Sequence, residues 1–418
     1  MSARGERAAA GARPSGSDPA RAGAAIVLRR GAERRIAAGH PWVYRGVVAD
    51  ARGRPEAGGI VDVLDAAGRF LGRGHYNPRP SLAVRLLTRR DEPIDEAFFL
   101  RRLAAAAAYR RSAGLEGDAF RLVWSEADGL PGLVVDRYAG ISVVQCLTLG
   151  MARALPALAG ALDGLYPGGL VYRADDPTAA GIEGFQPVRG WLRQPGDPEL
   201  PAEHPVTIAE GPCRFTVVLG AGHKTGWYLD QRENRELVAR HAAGRRMLDA
   251  FCYAGGFACL ALAAGARAAV LVDSSPEALA GARANLEANG LSARAELRQA
   301  NAFDELRRLT EARERFGLVV LDPPPFTRRK EALDAAARGY KEIALRALRL
   351  LEPGGLLATF SCSHHVTPAL FEAICRDAAG DAGVEVRVLA VLGQSRDHPV
   401  LLGVPETRYL TGLLLQAV

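Results

Sequence analysis

The sequence predicts an α/β protein: a doubly wound parallel sheet in the C-terminal half, preceded by a small β-rich module and an α+β segment. Three observations carry that expectation. Met247–Asp273 reads as an apolar strand ending at Asp249, a turn through Phe251, Tyr253, Gly255, Gly256 and Phe257, an alanine-rich helix, and a second apolar strand ending at Asp273. Strand, glycine turn, helix and acid-terminated strand make half of a nucleotide-binding unit. The alternation of strand and helix then continues to Cys362. Residues 24–92, by contrast, show short strands split by glycine turns and almost no helix.

Composition bounds the classes of function. At 418 residues the chain has room for two to four domains. With 48% hydrophobic and 24% charged residues it is ordinary for a globular protein. No apolar run approaches the roughly 20 residues of a membrane span, so a membrane partner is not expected and a cytoplasmic location is. Residues 1–23, rich in Ala, Gly, Arg, Ser and Pro, read as a disordered leader. Cys146, Cys213, Cys252, Cys259, Cys362 and Cys375 show no C-x-x-C spacing, so neither a metal nor a disulfide framework is expected. The formal charge of +6 is uneven: residues 1–115 hold 21 Arg against 11 acids, about +10, leaving the remainder near −4. A basic front of this kind favours a polyanionic partner.

In chain order, strands are expected at 25–29, 59–64, 69–76 and 81–87, with a short basic helix over 31–39 and His40–Tyr44 leading into another strand. Gly turns with protruding Arg and aromatic side chains suit an RNA-binding barrel, with Arg34, Arg35, Trp42 and Arg45 as candidate contacts, although a purely structural barrel has similar statistics. Pro93 opens the α+β segment, with helices over 98–112 and 152–165, strands near 120–124, 133–136, 141–146 and 170–172, and a loop over 174–204. From Val206 a strand pair leads into a polar and aromatic cluster, Gly222–Arg232, that opens a helix. Lys224 there is a candidate RNA contact, and Tyr228, Asp230, Gln231 and Arg232 are candidate cofactor contacts.

Successive strands of the doubly wound unit end at Asp249, Asp273, Asn301, Asp322 and Cys362. Ligands of such sheets lie outside the carboxyl ends of the strands, so these side chains should face one crevice. The turn lacks a full G-x-G-x-x-G, which disfavours a dinucleotide pyrophosphate and fits a ligand without phosphate. S-adenosylmethionine is such a ligand: its amino-acid end over 254–257, its ribose at Asp273 and its adenine near Asn301. The plainer reading of Asn301 is a helix cap. Asp322-Pro-Pro-Pro-Phe326 is a stiff turn able to hold a flat base, the Asp on its edge and the Phe on its face. Cys362 ends the next strand, where a thiol, intrinsically a strong nucleophile, faces the same pocket. Cys252, inside the turn, reads as packing.

Taken in order, Asp230-Gln-Arg232, Phe251-x-Tyr-x-Gly-Gly-Phe257, Asp322-Pro-Pro324, Phe360-Ser-Cys-Ser363 and Asp397-His-Pro399 make the chain resemble the large-subunit ribosomal RNA (cytosine-5)-methyltransferase I family. His40-Pro-Trp-Val43, Glu126-x-Asp-Gly-Leu-Pro-Gly132 and Gly222-His-Lys-Thr-Gly226 extend the resemblance over residues 24–418. It implies a PUA-type RNA-binding domain over 24–92, a central α+β domain over 93–204 and a Rossmann-like class I methyltransferase domain over 205–418. It further implies S-adenosylmethionine as cofactor and 23S ribosomal RNA, or a large-subunit precursor, as substrate. A homodimer stays open. Cys362 would add to C6 of a cytosine so that C5 can take a methyl group, with Asp322 holding the base edge. Two positions depart from the family pattern. Pro325 stands where relatives often carry Lys, and Asn301 where an acid is common. The competing readings are methylation of a guanine exocyclic amine, which needs no thiol, and a non-catalytic RNA-binding assembly factor.

Overall fold

Successive residues of a strand point to opposite sides, so apolar alternation decides which face is buried. The computed structural model of the chain describes residues 23–115, 117–192, 200–220, 225–327 and 330–418; most of the expected leader and Lys224 lie outside them. Its N-terminal sheet comprises β1 (Ala25–Leu28), β2 (Trp42–Tyr44), β3 (Val48–Arg52), β4 (Ile60–Leu64), β5 (Phe70–Tyr76) and β6 (Leu82–Thr88), with the short α1 (Glu33–Ala37) between β1 and β2. The strand order is β2-β6-β5-β4-β1-β3. Val61 and Val63 of β4 point inward and meet Ile26, Leu28, Val84 and Leu86. The sequence gives no bounds for β3, which follows Tyr44. It is an edge strand with most of its residues exposed, so it lacks the alternation that reveals buried strands.

The middle segment folds as α2 (Glu96–Ser112), β7 (Ala119–Trp124), β8 (Leu133–Tyr138), β9 (Ile141–Cys146), α3 (Leu149–Arg153), α4 (Leu155–Leu165), β10 (Val171–Ala174), α5 (Pro177–Glu183) and β11 (Arg189–Leu192). Phe98, Phe99 and Leu103 of α2 and Leu158 and Leu162 of α4 cover one face of the sheet at Leu133, Val135 and Val144. The expected helix over 152–165 is two helices that meet at Ala154. Pro156 falls in the first turn of α4, where a missing N–H costs nothing, and so marks a new helix start. The expected loop over 174–204 contains α5 and β11. Asp176 caps α5 by accepting from Ala179 N at 2.8 Å, and Pro177 fits its first turn; this start signal stood in the sequence and was masked by the surrounding Gly and Pro.

A hairpin of β12 (His204–Glu210) and β13 (Cys213–Leu219) leads through α6 (Arg232–Arg240) into the third sheet. The sheet is built from β14 (Arg246–Ala250), α7 (Gly256–Ala263), β15 (Ala268–Asp273), α8 (Pro276–Ala288), β16 (Ala295–Gln299), α9 (Ala302–Glu311), β17 (Phe316–Leu321), α10 (Leu333–Arg349), β18 (Leu351–Ser361), α11 (Pro368–Ala382), β19 (Val386–Gly393) and β20 (Thr411–Ala417). The order is β16-β15-β14-β17-β18-β20-β19. β14 to β18 pair in parallel, while β20 runs antiparallel between β18 and β19. Parallel strands buried on both faces read as continuous apolar runs, as Phe316–Leu321 does. One face packs on α9, α10 and α11. The other packs on α6, α7, α8 and the hairpin, in a core continuous with Tyr138, Val143 and Tyr172 of the middle sheet. Among the described residues no helix is long and apolar enough to cross a membrane.

Candidate active site

The turn after β14 holds three residues in the left-handed region: Phe251 at φ 65°, Tyr253 at φ 48° and Gly255 at φ 76°. Bulky side chains there cost free energy and persist only where their surroundings fix them. Asp273 supplies part of that fixing, its Oδ2 accepting from Tyr253 N at 2.9 Å and its Oδ1 from Ser275 N at 3.0 Å. Gly256 opens α7 under Arg235 and Trp227; a Cβ there would lie 3.0 Å from Arg235 Cδ and 3.2 Å from Trp227 Cζ2. Both of those side chains are anchored by buried Glu210, which accepts from Arg235 Nε at 2.6 Å and from Trp227 Nε1 at 3.0 Å. Phe257 packs in the core against Phe360 at 5.7 Å between ring centroids. Sequence reasoning missed the Glu210–Arg235–Trp227 support, because its members lie on separate elements.

Asp249 is 1% exposed beneath this turn. Its Oδ2 accepts from Ala258 N, in the first turn of α7, at 3.1 Å, while its Oδ1 is buried with no hydrogen-bond partner among the described residues. Burial, with Asp322 and Asp273 nearby, pushes its carboxyl up to about 8 against the opposing pull of Ala258 N and Arg235. A buried acceptor with no donor, beside a glycine turn, fits a cationic ligand. S-adenosylmethionine, which carries an ammonium and a sulfonium, meets that requirement.

The other side of the strand ends is built from β17, β18 and the start of α6. Gln231 Nε2 donates to Asp322 Oδ1 at 2.9 Å. Gln231 is itself held by Asn234, whose Nδ2 donates to Gln231 Oε1 at 2.6 Å and to the Gly393 carbonyl at 2.8 Å. The half-buried Cys362 donates its thiol to the Pro323 carbonyl at 3.8 Å, placing Sγ against the Asp322-Pro-Pro turn. Tyr228 stands edge-on to Tyr253, ring centroids 5.1 Å apart. Its phenol is pushed up by burial first, and then by Tyr253, Asp322, Asp230 and Cys362. Asp230 is oriented by Tyr409, whose hydroxyl donates to Oδ2 at 2.6 Å, and its carbonyl accepts from Ser395 N at 2.8 Å.

Family models match two stretches: a PUA-like domain over residues 26–89 and an S-adenosylmethionine-dependent methyltransferase over 197–388. Ribosomal RNA large subunit methyltransferase I of Klebsiella pneumoniae is 41% identical over 391 residues, covering 93% of this chain and 96% of the relative. The protein of the same name from Erwinia tasmaniensis is 38% identical over 397 residues, covering 94% and 99%. The chain belongs to the ribosomal RNA large subunit methyltransferase I family. A structure described as a SAM-dependent methyltransferase from Streptococcus mutans superposes with a TM-score of 0.79 at 20% identity, covering 94% of this chain and 99% of that one, which bears on the fold alone. The expected fold class and cofactor are thus met: a PUA-like domain precedes a methyltransferase domain that uses S-adenosylmethionine.

Within this family member, several expected site residues are engaged by neighbouring protein groups. Arg232 donates to the Ala119 carbonyl and stands 4.0 Å from Asp397, so it ties α6 to the middle sheet rather than facing the cofactor turn. Trp42 donates its indole N–H to Glu126 at 2.8 Å, a contact between the N-terminal and middle segments rather than an open RNA surface. Arg35 is likewise engaged, with Glu406 at 3.2 Å, while Arg34 and Arg45 are exposed. Phe326 packs on Tyr340, ring centroids 4.5 Å apart, and on Phe303 at 5.6 Å, so at least one ring face is covered by protein. Asn301 caps α9, its side-chain carbonyl accepting from Phe303 N at 2.9 Å, which is the plainer of its two readings. Cys252 is buried, and burial pushes its thiol well above the usual range, as packing predicts.

Proposed function

We propose that this enzyme methylates C5 of a cytosine in large-subunit ribosomal RNA through a covalent Cys362 adduct, in the cytoplasm, with residues 24–92 as an RNA grip, 93–204 as a central domain and 205–418 as the methyltransferase domain. The observation that carries the reading is Cys362 Sγ against the Asp322-Pro-Pro turn at neighbouring strand ends. Relatives named for large-subunit ribosomal RNA methylation support the substrate class. Asp249, Asp273 and the turn from Phe251 to Phe257 would hold S-adenosylmethionine, which supplies an electrophilic methyl group and leaves as a neutral thioether. Ring carbon C5 is a poor nucleophile, so Cys362 as thiolate adds to C6 and moves electron density to C5. Asp322, fixed by Gln231 on one carboxyl oxygen, holds the base edge as the protonated acid and donates to N3, which offsets the negative charge developing there. Once C5 carries the methyl group, loss of its proton to a base and cleavage of the C6–S bond restore the ring and release Cys362.

Cys362→Ala is expected to abolish methyl transfer while S-adenosylmethionine still binds by calorimetry. Retained activity would mean amine methylation, and no cofactor binding in the wild type would mean a non-catalytic RNA-binding role. Bisulfite sequencing of ribosomal RNA from cells with and without the gene identifies the cytosine.

A further inference from the structure

A cavity of about 500 Å³ lies away from the strand-end crevice, in the seam between the end of β6 and helix α2, with Gly129 and Leu401 completing its wall. Four guanidinium groups line it, Arg89 and Arg90 from the N-terminal segment and Arg101 and Arg102 from α2, against two carboxylates, Glu92 and Glu126. Both carboxylates are committed. Glu126 accepts from the Trp42 indole at 2.8 Å, and Glu92 accepts from Arg101 at 2.8 Å and from Thr88 Oγ1 at 2.6 Å. Among the described residues no carboxylate lies within 4.0 Å of Arg89, Arg90 or Arg102.

Arg102 is built into place. It donates to the Leu87 carbonyl at 2.9 Å, and its guanidinium sits 5.2 Å from the Phe98 ring centroid. Gly129, at φ 67°, leaves room for it, since a Cβ there would come within 3.0 Å of Arg102 Nη1. Burial depresses the pKa of Arg89 and Arg102, and Arg90 and Arg101 repel Arg102 further while Glu92 offsets part of that. Gathering like charges in a partly desolvated cleft costs folding free energy, and an anionic ligand removes that cost. Leu86, Phe98 and Pro131 give the same cleft an apolar floor. Guanidiniums over an apolar floor match a nucleotide, phosphate to the arginines and base to the floor.

We propose that this cleft binds phosphodiester groups of the RNA strand, as a second RNA contact assembled jointly by the N-terminal and middle segments and separate from the methyl-transfer crevice. The RNA identity of the ligand rests on the function proposed above, whereas the anion site rests on the cavity and its arginines. The test uses the full chain as R89Q/R102Q, the variant R89Q/R90Q, which leaves the anchored Arg102 in place, and R376Q/R387Q as a charge-matched control on exposed arginines elsewhere. Single-stranded ribosomal RNA fragments are titrated by fluorescence anisotropy over a salt series, and inorganic pyrophosphate and S-adenosylmethionine by calorimetry. Both cleft variants should bind RNA about tenfold more weakly, with the salt slope shallower by about 1.4 for two phosphates lost. S-adenosylmethionine affinity should match the control. RNA affinity and slope equal to the control overturn the cleft proposal alone. Pyrophosphate binding that depends on these arginines while RNA binding does not overturns the RNA assignment in favour of a small phosphate ligand. Wild-type protein that binds no RNA overturns the functional reading, and the RNA assignment with it.

Discussion

Asp249 has one carboxylate oxygen committed to the start of α7 and the other buried without a donor among the described residues. With its folded pKa raised to about 8, above the unfolded value of about 3.9, the folded state holds the proton more tightly than the unfolded chain. The group's contribution is therefore full at low pH and is lost as pH rises from about 4 through 8. Without cofactor, melting temperature is expected to fall between pH 6 and 8, and to fall less in Asp249→Asn, by scanning calorimetry. A cationic ligand favours the ionised form, so S-adenosylmethionine should bind more tightly as pH approaches 8, and the variant should lose that dependence. The addresses of Asp249, Asp273, Asp322 and Cys362 were legible because strand ends follow from apolar runs and turns. Gln231 stood out in the sequence as a candidate cofactor contact but not as the partner of Asp322, since the two lie 91 positions apart and no local pattern couples them.

At the scale of elements, the segment after β19 fastens the third sheet to the second. Asp397 is fully buried, its Oδ2 accepting from Arg121 N at 3.0 Å and its Oδ1 paired with His398 Nδ1 at 2.7 Å. Burial alone would raise its carboxyl, but His398, Arg232 and Arg121 N together hold it well below the usual carboxylate range. Its stabilisation is therefore present above the unfolded pKa and lost as pH falls into the acid range. Asp397→Asn is expected to cost about 3–5 kcal/mol by urea unfolding, because it leaves partners buried without their charge. The Asp-His-Pro motif was visible in the sequence, yet its use as a fastening was not. In the same way, Arg232 and Trp42 carry residue types suited to ligands but spend them on neighbouring elements. Motif order identified the family; which side of each motif faces the ligand depended on packing between elements.

Across the whole molecule, buried acids join the N-terminal sheet to the middle one. Glu183, at the end of α5, accepts from Arg85 at 2.7 Å, from Asn77 Nδ2 at 2.8 Å and from Leu149 N at 3.2 Å. Glu183→Ala is expected to split thermal unfolding, with the N-terminal sheet melting first by calorimetry, because Arg85 and Asn77 lose a buried partner. Such joints cross about a hundred positions and leave no periodic trace, whereas each sheet announces itself by local alternation. The insertion of β20 between β18 and β19 has a consequence for synthesis. β18, which leads into Cys362, is made well before β20, so one long edge of it waits unpaired while β19 emerges. An apolar unpaired edge invites pairing with another chain. The nascent protein is therefore exposed to such pairing while residues 361 to 411 are being made, and the strand that leads into Cys362 gains its second neighbour only when Thr411–Ala417 arrives to close the sheet.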